Sequence, residues 1–99
     1  METSERKAER AIANYNRLRR EVFELLGHGC ARCGFSDKRA LQIDHVKNDG
    51  ASDHRGDRRI TYTSFMRRVI SSYRAGERGK YQILCANCNW IKQAEARAR

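Results

Sequence analysis

Two Cys-x-x-Cys pairs, Cys30/Cys33 and Cys85/Cys88, stand more than fifty residues apart in a 99-residue chain and constrain its fold more than any other feature. A tetrahedral structural zinc takes four thiolates, and two short knuckles brought together from distant parts of the chain supply them without strain. Disulfides are the alternative use of four cysteines. They belong to oxidising compartments, and the chain begins with neither an apolar h-region nor a small-residue cleavage site. The expectation is a cytoplasmic protein with zinc held by Cys30, Cys33, Cys85 and Cys88. Four thiolates close the shell and leave no open position for a catalytic water, so this zinc holds the fold.

A staple of that kind answers a need set by size. With 33% charged and 39% hydrophobic residues and no proline, the chain is one domain with a thin core. Domains this small bury too little surface to be secure alone, and metal binding supplies much of the missing folding free energy. No apolar run approaches the ~20 residues that span a bilayer. Twenty-one Lys and Arg oppose twelve Asp and Glu, a formal +9 with a pI of about 10.0, which suits a phosphate backbone. The excess gathers late: residues 60–99 carry eight basic side chains and only Glu77 and Glu95 as acids. A basic helix also coats anionic membranes, but the apolar faces here are needed for the core, so nucleic acid is the favoured partner.

Apolar positions Ala8, Ile12, Tyr15, Leu18, Val22 and Leu25 recur at steps of three and four, predicting a helix from Ser4 to Leu26 that stops at Gly27. Its opposite face carries Arg6, Arg10, Arg17 and Arg20 among glutamates, the pattern of a solvated face with ion pairs one turn apart. After the first knuckle, 40–46 reads as a strand with Leu41, Ile43 and His45 on one face and Asp44 on the other, unless the strand ends there. The stretch 46–59 is loop chemistry. Thr61 or Thr63 caps a second helix with an apolar stripe of Phe65, Met66, Val69, Ile70 and Tyr73, ending near Gly76. Tyr81 to Leu84 forms a second strand leading into the Cys85 knuckle. A last helix over 87–98 offers Trp90, Ile91 and Ala94 for burial and exposes Lys92, Arg97 and Arg99.

The stretch Leu41-Gln-Ile-Asp-His-Val46, followed by Ile83-Leu-Cys-Ala-Asn-Cys-Asn-Trp-Ile-Lys92, resembles the HNH endonucleases, the ββα-metal nucleases, in the zinc-stapled form common in phage and bacterial proteins. The resemblance covers about residues 30 to 92. It implies that His45 is a general base taking a proton from water so that hydroxide attacks a phosphate, a task suited to a group titrating near neutrality. It implies that Asp44 and Asn89 ligate one divalent cation, magnesium or manganese, which prefers oxygen donors. One strand, strand and helix unit would gather Asp44, His45 and Asn89 in one cleft, in a bacterial or phage-infected cell.

One position departs from that pattern. The family's middle Asn, which braces the loop carrying the base, usually lies five residues before the third cysteine, where this chain has Lys80. Asn48 is the alternative brace. His54, in the loop, is a candidate for phosphate contact or proton transfer, or a solvent-exposed loop histidine. Taken singly, Asp44–His45 reads equally as a structural hydrogen-bonded pair and Asn89 as a helix cap.

The sequence therefore predicts a small α+β single domain: residues 1–29 as a basic amphipathic helix packed on the core, and 30–99 as a zinc-stapled HNH unit. Arg67, Arg68, Arg74, Lys92 and Arg97 would hold the backbone of DNA, or of RNA. Such contacts position a strand without reading its sequence, so duplex-spanning specificity calls for a homodimer or a recognition partner. The competing expectation is a binding module whose metal cleft has decayed, with Lys80 as its best argument.

Overall fold

The computed structural model describes residues 3–48 and 61–98. His54 and Arg99 lie outside the described residues. Helix α1 spans Ser4–Leu26, with the Thr3 hydroxyl accepting from the Arg6 amide at 3.2 Å at its start and Gly27 closing it. Only its later turns enter the core. Leu18, Val22 and Phe23 are buried, while Ala8 is exposed and Ile12 is 61% exposed. The reason is length: a helix of 23 residues runs about 35 Å, and the five-residue strands beneath it reach about half that. Phe23, outside the expected stripe, is buried with the Arg19 guanidinium 4.8 Å from its ring centroid, and Arg19 Nη2 donates to the Leu41 carbonyl at 3.2 Å.

A short 3-10 turn, Lys38–Ala40, leads into β1, Leu41–His45, which pairs antiparallel with β2, Tyr81–Cys85. The register sets Leu41 against Cys85, Ile43 against Ile83, Asp44 against Gln82 and His45 against Tyr81. Helix α2, Tyr62–Arg74, begins at Thr61, whose hydroxyl accepts from the Ser64 amide at 3.1 Å. Its stripe is the expected one: Phe65, Met66, Val69 and Ile70 are buried and Tyr73 is half-buried. The chain leaves it through Gly76 at φ +102°, a conformation that side chains disfavour. One apolar cluster joins α1, α2 and both strands. The hairpin lies between that helical pair and α3, Ala86–Arg97, so that β2 is covered on both faces.

Helix α3 is turned differently from the sequence expectation. Trp90 and Ile91 are 70% and 51% exposed and Ala94 is exposed, whereas Lys92 is only 8% exposed. The cysteines decide this. Cys85 and Cys88 must face the first knuckle, and Lys92, four residues beyond Cys88, shares their side of the helix. Apolar bulk at 90 and 91 cannot turn inward without pulling Cys88 away.

Candidate functional site

The four cysteines are free thiols whose sulfurs all lie within 4.8 Å of one another, an arrangement that can hold a metal ion. Cys33 and Cys85 Sγ are 3.7 Å apart, too far for a disulfide, and a tetrahedral zinc with bonds of ~2.3 Å sets its sulfurs ~3.8 Å apart. Local hydrogen bonds build the cluster. Gly34, at φ +80°, donates its amide to the Cys30 carbonyl at 2.9 Å, and Cys30 donates to the Phe35 carbonyl at 2.8 Å. Ala31 donates to the Ile83 carbonyl at 2.9 Å, which fastens the first knuckle to β2 beside the second. The Cys85 sulfur accepts from the Cys88 amide at 3.4 Å and so caps α3.

The thiols are electrostatically unequal. Burial raises Cys30, but the backbone hydrogen bonds at Cys85, Cys33 and Arg32 together outweigh it and bring the thiol down to about 6. Cys88 is pushed up to about 12 by its hydrogen bond with Cys85, by burial, and by the charge on Cys30. One thiolate forms readily and a further one is resisted, the imbalance that a dication removes.

On the α3 side of the hairpin lies a polar cluster. Asp44, 4% exposed, takes two contacts on Oδ2: the Lys92 ammonium at 2.8 Å and the Gln82 amide at 2.9 Å. Lys92 Nζ also donates to the His45 carbonyl at 2.7 Å and to Asn48 Oδ1 at 2.8 Å. An ammonium has three donors, and these three oxygens use them all. Asn48, at φ 57°, donates its own amide to the His45 carbonyl at 2.9 Å, closing a turn that Gln93 also holds through Asn48 Oδ1 at 2.9 Å. Asn89, in the first turns of α3, donates to Gln42 Oε1 at 2.6 Å. A polar groove of about 290 Å³ adjoins Lys92, lined also by Arg32, Lys47, Asn48 and Glu95.

The imidazole of His45 occupies the other face. Strand alternation places it with Leu41 and Ile43, and it is half-buried, stacked on Phe65 (centroids 5.4 Å) with Tyr81 edge-on at 5.1 Å. The single cleft expected for Asp44, His45 and Asn89 is therefore corrected. Asp44 and Asn89 share the α3 face but meet different partners, and His45 contributes its carbonyl, not its ring, to that face.

No family model, curated protein or solved structure matches this chain.

Asp44 and Asn89 supply the oxygen donors that magnesium or manganese takes, so their chemistry fits such an ion. In this structure Lys92 balances the charge of Asp44, and Asn89 donates to Gln42 through Nδ2, a bond that does not use its Oδ1, so an ion held by the two would have to displace the Lys92 ammonium from Asp44. Among the described residues, the cysteines form the one cluster of three or more His, Cys, Asp or Glu side chains that can hold a metal. Of the basic residues expected to meet nucleic acid, Arg67, Arg68, Arg74 and Arg97 are exposed. Arg74 pairs with Glu21, and Arg97 lies over the Trp90 ring at 5.6 Å. Lys92 is corrected: buried and with its donors used, it is not placed to meet a phosphate. Lys80, at the position of the missing Asn, accepts from the Val46 amide through its carbonyl at 3.1 Å and sends its ammonium toward Glu77, 4.0 Å away, and the Tyr81 ring.

Gln42 and Gln82, the hydrogen-bond partners of Asn89 and Asp44, are not among the residues expected from the sequence. Their signal was present in the alternation: Gln42 and Asp44 lie two apart on a strand whose other face is apolar, and Gln82 holds the same polar face of the second strand. Among the described residues, no helix is long and apolar enough to cross a membrane.

Proposed function

We propose that this chain is a small HNH-type endonuclease, a zinc-stapled domain that hydrolyses phosphodiester bonds of DNA. The observation that carries this reading is a buried carboxylate, Asp44, on the hairpin face covered by the helix that the cysteine cluster starts, next in sequence to the only histidine in either described strand. Burying an acid costs a thin core several kcal/mol even when it is paired. A domain that needs only a scaffold gains nothing from it.

On this reading zinc occupies the four thiolates and fixes the first turn of α3. His45 takes the proton of the attacking water, which requires its ring to turn from the Phe65–Tyr81 stack toward the strand end when nucleic acid binds. Asp44 and Asn89 are the residues that would hold magnesium or manganese, whose positive charge would stabilise the phosphate and the leaving 3′ oxygen. Arg67, Arg68, Arg74 and Arg97 hold the backbone, a salt-sensitive contact without base readout.

A second reading has one observation in its favour. Lys92 already neutralises Asp44, as a decayed site in a nucleic-acid-binding module would allow. An end-labelled DNA duplex incubated with zinc-loaded protein and manganese separates the two. Cleavage leaving 3′-hydroxyl and 5′-phosphate ends supports the nuclease, whereas a shifted but intact duplex supports the binding module.

A further inference from the structure

The three oxygens around the Lys92 ammonium are a carboxylate from Asp44, a main-chain carbonyl from His45 and a side-chain amide from Asn48, at 2.7 to 2.8 Å. This is the mixed oxygen set that hard divalent cations take. It is assembled from a strand end and the turn that follows it, and a positive charge already sits at its centre. We infer that this cage is the cation site of the domain, with Lys92 and a divalent ion as its alternative occupants and Asn48 as a ligand. The inference rests on the reading of Asp44 as the acid of the nuclease site, and it brings in Asn48 as a further ligand beside Asp44.

Two consequences follow from the geometry. The ammonium and a dication cannot share the cage, because they would compete for the same lone pairs and repel at contact distance. Departure of Lys92 frees the His45 carbonyl for the ion, so either occupant holds the turn just after His45. The groove lined by Arg32, Asn48 and Glu95 borders Lys92 and is where its displaced ammonium would meet water. With the ion pair formed, the cage is closed to divalent ions; with the ion bound, the His45 carbonyl and Asn48 Oδ1 hold the ion in place of the ammonium.

The test is calorimetric titration of manganese into zinc-loaded wild type, Lys92→Gln, Lys92→Gln/Asn48→Ala and Lys92→Gln/Asp44→Asn. Lys92→Gln is expected to bind manganese about tenfold or more tighter than wild type, and each double variant to lose that gain. Lys92→Gln binding no tighter than wild type, or a gain that survives Asn48→Ala, overturns the proposal. Should Lys92→Gln be unfolded without added ion, refolding by manganese supports the cage and failure to refold overturns it. DNA cleavage by wild type keeps the nuclease reading whatever the titration gives, and tight manganese binding by a protein that never cuts DNA keeps the cage and sinks the nuclease.

Discussion

His45 and Lys92 are the two residues on which the account turns, and they act through different atoms. The ring of His45 is the proposed base, so His45→Ala should abolish cleavage while DNA affinity stays within about threefold, measured by gel shift. Loss of binding in parallel with cleavage would make the residue structural, an outcome its stack on Phe65 and Tyr81 makes worth testing. The cysteines carry a pH dependence whose direction is fixed by their thiols. Cys88, pushed up to about 12, keeps its proton at neutral pH and must release it to bind zinc, so affinity falls as pH falls. Cys30, down at about 6, is mostly ionised at neutrality and competes for a proton only below that value. Zinc affinity measured by chelator competition should therefore drop more steeply below about pH 6 than above it. A slope that is constant from pH 8 to about pH 5 would contradict that inequality of the thiols.

At the scale of elements, what was legible in the sequence was whatever local spacing decides. The apolar stripe of α2 and its Thr61 cap were readable because each rests on neighbours within a turn. Thr61→Ala should cost about 1 kcal/mol, read by urea denaturation of zinc-loaded protein, since the Ser64 amide loses its acceptor. The extent of α1 was readable too, but not how much of it the core would cover, because that depends on the size of the body beneath it. The orientation of α3 was misread for a different reason. Trp90 and Ile91 look like core, and a buried lysine is disfavoured when unpaired. Yet the helix direction is set by Cys85 and Cys88, and the partner that makes burial of Lys92 tolerable, Asp44, lies 48 residues away across the hairpin. Long-range pairing of that sort leaves only a faint trace in a single sequence, here the polar alternation of Gln42 and Asp44. The opposite facing of Asp44 and His45, by contrast, follows directly from strand alternation; one cleft for both required the strand to end at Asp44, and it runs on to His45.

For the whole molecule, two physical features dominate: a cluster of four cysteines, arranged to hold a metal ion, that joins the two ends of the hairpin region, and a charge of +9. Because the knuckles join the loop before β1 to the start of α3, losing one ligand unties the sheet from both. Cys85→Ser, or a strong chelator, should collapse the cooperative thermal transition seen by circular dichroism. A variant retaining its full helical signal and its transition without zinc would show that the apolar cluster suffices. If the charge serves nucleic acid through several phosphates, the affinity for DNA should fall with salt with a log–log slope on the order of −3 or steeper. A flat dependence would point to a partner other than a polyanion.

The measurement that bears most directly on the central claim is incubation of zinc-loaded protein with supercoiled plasmid, with and without magnesium or manganese, beside His45→Ala. Nicked or linear plasmid is expected only with the divalent ion present, and none from the variant. Plasmid left supercoiled under every ion, while a gel shift shows it bound, would contradict the nuclease and leave a zinc-stapled module that holds nucleic acid without cutting it.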